Sequence, residues 1–325
     1  MIIITEEQVS DLLNWNDTFR AVETAMLRVS QGRVVQKARV NTELLNSDNL
    51  LLTMPGYLED KTYGALACKL VTMFKSNADM EKPLPTINAN IMIFDETTGI
   101  LKASIGGTQI TKWRTAAASA VATKHIFSKN NKKCNVLAIL GYGAQGRVHA
   151  EAFYNFFNFK EIRIWGRSVE KARLLVDELN KTLSTEAFRV AASGEECVRE
   201  ADVVITATYA TAPIVQFEWV KAGAHINAVG CGTNHYNELD EQLYLNSDVY
   251  IDYWAGARDS LSGLEKLGVH FRGEVGDVIG GGLPIPAPDR ITVFQSLGMA
   301  VEDGAMARLV FDLYQKRETE KQNVV

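Results

Sequence analysis

The sequence contains little of what a metal site, a disulfide framework or an export signal would need. Its 325 residues include four cysteines, which are widely scattered, at Cys68, Cys134, Cys197 and Cys231. None of them belongs to a CxxC pair or has a histidine at zinc-ligand spacing. The amino terminus lacks the basic segment and the long apolar stretch of a signal peptide. We therefore expect a reduced, cytoplasmic protein without a structural metal.

Long apolar runs and an excess of basic charge are also missing. No apolar run approaches the ~18 residues that a membrane span needs. The net charge is −5, with acidic and basic residues well mixed, whereas a nucleic-acid partner requires a basic face. We therefore expect neither a membrane nor a nucleic acid as a partner. The apolar fraction of 46% is ordinary for a globular protein, the length suits two domains, and the polar last ten residues are expected to fray.

The first third of the chain combines a helix with short apolar segments. Apolar residues at three- and four-residue spacing predict a helix over residues 5–31. Between Val34 and Leu101, short apolar runs are separated by turn signals such as Pro55-Gly56, which predicts a mostly antiparallel sheet. The alanine-rich segment Thr111–Phe127 then predicts a long helix.

Strands and helices alternate in the rest of the chain. We predict strands near 136–141, 161–165, 187–191, 202–206, 224–229 and 249–252, with helices including 144–157 and 169–182 between them. Repeated βα units indicate an α/β protein with a Rossmann-type, doubly wound parallel sheet. We assign residues 116–299 to this domain. An apolar helix that starts at Gly298 is expected to return to a second, α+β domain formed by residues 1–115 together with 300–325.

A glycine pattern follows the first strand of the predicted parallel sheet. Gly141, Gly143 and Gly146 form GxGxxG between a strand and a helix, the context in which this pattern binds a dinucleotide. The first glycine permits a tight turn, the second lets the backbone approach a pyrophosphate, and the third allows close helix–strand packing. The pyrophosphate would meet the free N–H groups at the start of the helix. The alternative is a glycine-rich turn without a ligand.

The end of the next predicted strand distinguishes NAD from NADP. An acidic residue there would bind a ribose 2′-hydroxyl, but the sequence reads Gly166-Arg167-Ser168, with Lys171 one turn later. Arg167 could pair with a 2′-phosphate, so we expect NADPH, with NADH as the second choice. The alternative for Arg167 is a solvated loop arginine.

Three basic residues stand where a cation is not expected. Lys69 interrupts an apolar strand on the face shared with Ala67 and Val71, where a buried ammonium is costly. The alanine-rich segment Thr111–Phe127 places Arg114 in the first turn of its predicted helix. The helix dipole disfavours a cation there unless an anion binds. Arg39 is predicted to open the first strand after the amino-terminal helix. Either each residue forms a salt bridge with a nearby acid or together they meet an anionic ligand.

Six segments occur in order from residue 54 to residue 303, and so cover most of the chain: Met54-Pro-Gly-Tyr57, Cys68-Lys-Leu-Val-Thr72, Arg114-Thr-Ala-Ala-Ala-Ser-Ala-Val-Ala-Thr123, Gly141-Tyr-Gly-Ala-Gln-Gly146, Gly223-Ala-His-Ile-Asn-Ala-Val-Gly230 and Ser296-Leu-Gly-Met-Ala-Val-Glu-Asp303. Together these segments resemble the ornithine cyclodeaminase/mu-crystallin family, most closely its mu-crystallin, or ketimine reductase, branch.

The resemblance implies a homodimer in which the α+β domain supplies the interface and the substrate pocket. It implies that Arg39, Lys69 and Arg114 clamp the carboxylate of a small imino-acid substrate. Beyond the three glycines, nucleotide contacts are expected from Thr86, Arg114, Thr115, Ala144, Gln145, Arg167, Ser168, Lys171, Thr208, Tyr209, Val229 and Ser296. His149, in the family's Gln-x-x-x-His pattern, is expected to serve helix packing.

The sequence departs from the cyclodeaminases at one place. They carry an aspartate after Asn-Ala-Val-Gly and a lysine four residues later, where this chain has Gly232 and Tyr236. The general base for deaminating cyclisation is therefore missing. Reduction of a preformed C=N bond needs a held carboxylate, a hydride and a proton, which Lys69 could supply or relay.

We therefore predict an NAD(P)H-dependent reductase of cyclic ketimine carboxylates. The alternatives are an alanine-type amino-acid dehydrogenase, an ornithine cyclodeaminase, and a thyroid-hormone-binding or crystallin-like protein that holds the hormone in the substrate pocket.

Overall fold

The structure, a computed structural model, describes residues 1–130, 132–231 and 234–323. The chain forms two compact units: residues 1–114 with the segment that starts at Gly298, and Thr115–Leu297. Within the described ranges, the helices are too short or too polar to cross a membrane.

The first unit contains, among the residues described, a seven-stranded sheet in the order β1-β7-β6-β5-β4-β2, with β3 also paired to β4. Its strands are β1 Ile2–Ile4, β2 Val34–Gln36, β3 Val40–Glu43, β4 Leu50–Leu58, β5 Ala65–Met73, β6 Ile87–Phe94 and β7 Leu101–Gly106. Strand β1 runs parallel to β7, and the other pairs are antiparallel. The prediction of a mostly antiparallel sheet is confirmed.

Helices cover one face of this sheet. They are α1 Glu6–Leu12, α2 Trp15–Ser30 and the carboxy-terminal α11 Ala300–Gln322. Helix α11 contacts α2, β4 and β5, and alternate residues of β5, including Ala67, Lys69 and Val71, are buried. The single helix predicted over residues 5–31 is two helices, because Asn14 caps α2. The last ten residues were expected to fray, but those up to Gln322 belong to α11, and Val324 and Val325 lie outside the described residues.

The alanine-rich helix, α3 Thr108–Ala122, begins earlier than its alanines suggested and continues into a π-helical turn, Thr123–Phe127. A carboxylate distant in sequence occupies its first turn: Glu6 accepts the N–H groups of Thr108 at 2.6 Å and Gln109 at 3.1 Å. This anion satisfies backbone donors that a helix start leaves open. The placement of Arg114 in the first turn is therefore wrong. Arg114 lies in mid-helix, where the dipole argument does not apply.

The second unit contains, in the described part of the chain, an eight-stranded sheet in the order β10-β9-β8-β11-β12-β15-β13-β14, and all its pairs are parallel. Its strands are β8 Val136–Leu140, β9 Glu161–Trp165, β10 Phe188–Val190, β11 Val203–Thr206, β12 His225–Ala228, β13 Asp248–Ile251, β14 Phe271–Glu274 and β15 Thr292–Gln295. The doubly wound sheet is as predicted, but β14 and β15 were not anticipated. Strand β15 lies between β12 and β13.

Helices connect these strands. They are α4 Ala144–Phe156, α5 Val169–Thr182, α6 Gly194–Val198, α7 Glu241–Leu245, α8 Trp254–Ser260, α9 Ser262–Lys266 and α10 Val275–Ile279. His149, fully buried on α4, lies 3.0 Å from Ser119 Oγ on α3 and 2.8 Å from the carbonyl of Gln145. These contacts join α3 to α4, which fits the packing role expected of His149.

Candidate active site

One edge of the parallel sheet collects most of the predicted nucleotide-binding residues. The carboxyl ends of parallel strands meet at one edge, where open α/β sheets bind their ligands. The residues that follow strands at this edge are Gly141, Gly143, Ala144, Gln145 and Gly146 after β8, Arg167, Ser168 and Lys171 after β9, Thr208 and Tyr209 after β11, Val229 after β12, and Ser296 after β15. Thr115 lies on α3, while Thr86 and Arg114 belong to the first unit.

The glycine turn after β8 has the geometry of a pyrophosphate cradle. Gly141 has a φ of +131°, and a Cβ added there would lie 2.5 Å from the carbonyl oxygen of Ala207. A Cβ on Gly146 would lie 2.0 Å from the carbonyl oxygen of Gly141, so both positions require glycine. A Cβ on Gly143 would meet no described atom within 4 Å. The start of α4 therefore faces open space at Gly143, which fits a dinucleotide phosphate.

The loop after β9 offers cations beside a helix start. Arg167 is exposed, and the Ser168 side chain caps α5 by accepting the N–H of Lys171 at 3.3 Å. Glu170 stands in the first turn of the same helix. The sequence interpretation did not consider this carboxylate, whose negative charge would repel the 2′-phosphate of NADPH.

A buried carboxylate that the sequence interpretation missed joins two loops at this edge. Glu238 accepts the Thr208 N–H and hydroxyl, both at 2.7 Å, and the Gly230 N–H at 2.8 Å. The pKa of Glu238 is raised, because the effect of burial exceeds the opposing effect of these hydrogen bonds. A Cβ on Gly230 would lie 2.1 Å from the carboxyl carbon of Glu238, so the glycine makes room for the carboxylate. Glu238 thereby ties the loop after β11 to the loop after β12.

The two positions that differ from cyclodeaminases follow β12. Gly232 lies outside the described residues. Tyr236 is partly buried and packs on the core of the second unit, where its hydroxyl would lie 1.9 Å from a Cβ on Gly263. An aromatic side chain thus fills the position at which the cyclodeaminases carry a lysine.

The first unit holds the predicted clamp cations in a buried ionic network. Lys69 on β5 places its Nζ 2.7 Å from Oδ2 of Asp303, and both side chains are almost fully buried. Arg114 places Nε 3.3 Å from Oδ1 of Asp303 and Nη1 3.4 Å from Oε2 of Glu302. The acidic partners stand side by side near the start of α11.

Arg39 completes this group from a loop. It lies between β2 and β3, so the prediction that it opens the first strand is wrong, and its Nη2 donates to the carbonyl of Gly298 at 3.2 Å. The pKa of Lys69 is lowered to about 8, first by burial and then by Arg114 and Arg39, against the opposing effect of Asp303. The field of Arg39 therefore reaches Lys69.

The salt-bridge interpretation and the ligand interpretation are both compatible with this network. Lys69 and Arg114 do pair with acids. Exposed Arg39 lies beside these buried pairs, so cations from three segments of the first unit stand close together. A substrate carboxylate could pair with such a group.

Removal of one buried carboxylate should reveal how strongly the network stabilises the first unit. We expect Asp303→Asn to lower the free energy of unfolding by about 3–5 kcal/mol, since breaking a buried pair leaves uncompensated charge. The loss should be smaller above about pH 8 than below it. Removing Asp303 lowers the pKa of Lys69 further, so as pH rises the variant gains stability from deprotonated Lys69 before the wild type does. Denaturant unfolding at two pH values measures both effects.

Asp312→Asn on the same helix is the matched control, because Asp312 forms a partly exposed pair with Arg308. We expect it to cost at most about 0.5 kcal/mol. Equal losses for the two variants would contradict a structural role of the buried network.

Weakening the Glu238 tie should affect nucleotide binding. In Glu238→Gln, one side-chain acceptor becomes an amide donor that must face an N–H group of Thr208 or Gly230. We expect NADPH to bind about tenfold more weakly, a loss of about 1.4 kcal/mol. Titration of nucleotide fluorescence measures this directly.

Asp240→Asn is the control for this variant. Asp240 also accepts two backbone N–H groups, from Phe217 and Leu243, at a site without predicted nucleotide contacts. If Asp240→Asn weakened NADPH as much as Glu238→Gln, the effect would reflect general destabilisation.

Comparisons with known proteins agree with this architecture. The family model described as "Ornithine cyclodeaminase/mu-crystallin family" matches residues 1–318. Ketimine reductase mu-crystallin of Mus musculus is 37% identical over 313 residues, 95% of this chain and 96% of the relative. Delta(1)-pyrroline-2-carboxylate reductase of Bacillus cereus is 30% identical over 325 residues, covering 96% of both chains.

Solved structures show the same fold. Delta(1)-pyrroline-2-carboxylate reductase of Thermococcus litoralis, in complex with NADH and L-proline, superposes with a TM-score of 0.88 at 29% identity and covers 98% of each chain. An archaeal alanine dehydrogenase dimer with bound NAD gives a TM-score of 0.86 at 27% identity, over 98% of this chain and 97% of the other. The match to the family over nearly its whole length shows that this chain belongs to the ornithine cyclodeaminase/mu-crystallin family.

Proposed function

We propose that this protein is an NAD(P)H-dependent reductase of the C=N bond in cyclic ketimine carboxylates. The observation that carries the proposal is the group of three cations, Lys69, Arg114 and Arg39, that the first unit brings together. Relatives named as ketimine reductase and pyrroline-2-carboxylate reductase support the reaction class. The neighbour with NADH and L-proline supports a cyclic amino acid as the product.

The residues of the first unit bind and protonate the substrate in this proposal. Arg39, Lys69 and Arg114 hold the carboxylate beside the C=N bond. When bound, NAD(P)H would supply the hydride for the imine carbon. With a pKa near 8, Lys69 is mostly protonated at neutral pH and can give a proton to the imine nitrogen. Hydride on carbon and a proton on nitrogen complete the amine, and Lys69 is reprotonated from water.

The residues of the second unit hold the nucleotide in this proposal. The N–H groups at the start of α4, beside Gly143, receive the pyrophosphate. Thr208 and Val229 stand at the ends of adjacent strands, and Glu238 keeps the Thr208 loop in place. Tyr236 replaces the cyclodeaminase lysine, which favours reduction over deaminating cyclisation.

Turnover assays test this function. The protein should oxidise NADPH with five-, six- or seven-membered cyclic ketimine carboxylates, measured at the nicotinamide absorbance. The same rings without a carboxylate should react at least about 100-fold more slowly, because more than one charge-assisted contact is lost. Turnover of ornithine without reductant would favour a cyclodeaminase, and turnover of pyruvate with ammonia would favour an alanine dehydrogenase. Binding of thyroid hormone without any turnover would indicate a carrier.

NADPH preference is part of the proposal. Arg167 is exposed beside the Ser168 cap of α5, where a 2′-phosphate would gain a charge-assisted contact. We expect NADPH to bind about tenfold more tightly than NADH, or about 1.4 kcal/mol. Arg167→Ala should weaken NADPH and spare NADH. Arg173→Ala, an exposed arginine later on α5, is the control, and equal losses of both nucleotides in Arg167→Ala would overturn the assignment.

A homodimer is also proposed, through the uncovered face of the first unit's sheet. Val35 and Leu66 both pair with Tyr57 in register, so they share this face, and Val40 extends it. Their side chains are exposed, whereas soluble monomers avoid large apolar patches. Light scattering should give about twice 35.9 kDa, and Leu66→Lys should shift the protein toward monomer. A wild-type monomer at micromolar concentration would contradict this interface.

A further inference from the structure

We propose that Gly298 is a positioning residue that sets the guanidinium groups of Arg114 and Arg39 for the substrate carboxylate. This inference rests on the proposed function. Gly298 precedes α11 and has a φ of +78°, in the left-handed region that favours glycine. Two of the proposed clamp cations, Arg114 and Arg39, contact the backbone of this residue.

The contact with Arg114 depends on glycine at position 298, which has no side chain. A Cβ at position 298 would lie 2.6 Å from Nη1, 2.9 Å from Nη2 and 3.1 Å from Cζ of Arg114. The guanidinium therefore packs directly against the glycine backbone. On its carbonyl oxygen, the same glycine accepts the Nη2 of Arg39 at 3.2 Å.

The guanidinium of Arg114 also lies 3.3 Å from Asp303 and 3.4 Å from Glu302. Gly298 adds a wall on one side of the guanidinium. Because this group ends a long side chain, a methyl at position 298 would displace it rather than unfold the protein. The expected consequence is a misplaced cation and a weakened carboxylate site.

A second glycine of the first unit allows the steric effect to be separated from backbone strain. Gly99, in the turn between β6 and β7, has a φ of +71°, and a Cβ there would meet no described atom within 4 Å. Gly99→Ala and Gly298→Ala therefore impose similar left-handed strain. Of these two glycines, Gly298 contacts Arg114 and Gly99 does not.

The test compares both variants by melting temperature, by kinetics with a cyclic ketimine carboxylate, and by calorimetry. Calorimetry measures the affinity for pyrrole-2-carboxylate, a planar cyclic carboxylate, in the presence of NADPH. We expect Gly298→Ala to lower the melting temperature more than Gly99→Ala, because it also displaces a buried guanidinium. Gly298→Ala should raise KM and weaken pyrrole-2-carboxylate by about tenfold, consistent with one disturbed charge-assisted contact, while Gly99→Ala leaves both unchanged. The Kd of NADPH should change less than about twofold in Gly99→Ala.

A double variant tests the route through Arg114. A lysine has a smaller head group than the planar guanidinium, so in an Arg114→Lys background Gly298→Ala should add little further loss of carboxylate affinity. Additive losses would overturn the positioning role, as would equal affinities in Gly298→Ala and Gly99→Ala. If the wild type binds the carboxylate with this dependence on Gly298 but reduces no ketimine, the proposed function fails and the inference stands. A wild type that neither binds nor reduces contradicts both.

Discussion

The ion pair between Lys69 and Asp303 is the constraint on which the first unit depends. It joins a strand near the amino terminus to a helix at the carboxyl end, across most of the chain. Two buried charges are costly unless their partners remain in place, so β5 and α11 must stay packed. The pair therefore specifies that residues from both ends of the chain form a single unit, while Thr115–Leu297 folds as the other.

The same network reconciles burial with chemistry. A cation binds a carboxylate strongly only where it is buried away from water. A buried cation, however, is costly without a counter-ion. Asp303 and Glu302 supply that counter-charge for Lys69 and Arg114, and Arg39 adds a third cation close by. Lys69 remains charged near neutral pH but with a lowered pKa, which suits a group that both holds an anion and exchanges a proton.

Local pattern was enough to predict the parallel sheet and its glycine turn, because strand, glycines and helix are contiguous from Val136 to Phe156. It failed where the deciding contact is distant in sequence. The start of α3 depends on the carboxylate of Glu6, about a hundred residues away. The alanine-rich segment itself contains no residue that predicts this contact. Strand β14, Phe271-Arg-Gly-Glu274, contains two charged residues and a glycine and so gives no strand signal. Strand β15, in contrast, continues a run of β-branched and aromatic residues from Ile291 to Phe294 and could have been predicted. Glu238 stands in a polar stretch that gives no sign of its burial. The adjacent acids Glu302 and Asp303, in contrast, interrupt an apolar helix and could have been paired with Lys69 and Arg114.

The order of strands in the second sheet also determines when the protein can fold during synthesis. Strand β15 fills the gap between β12 and β13, so the earlier strands cannot complete their sheet until residues 292–295 have left the ribosome. The first unit waits longer still, because α11 covers its sheet. Neither unit can reach its final form while most of the chain is being made. The nascent polypeptide must therefore keep an unfinished parallel sheet, with the edges of β12 and β13 open, out of contact with other chains until β15 has been made.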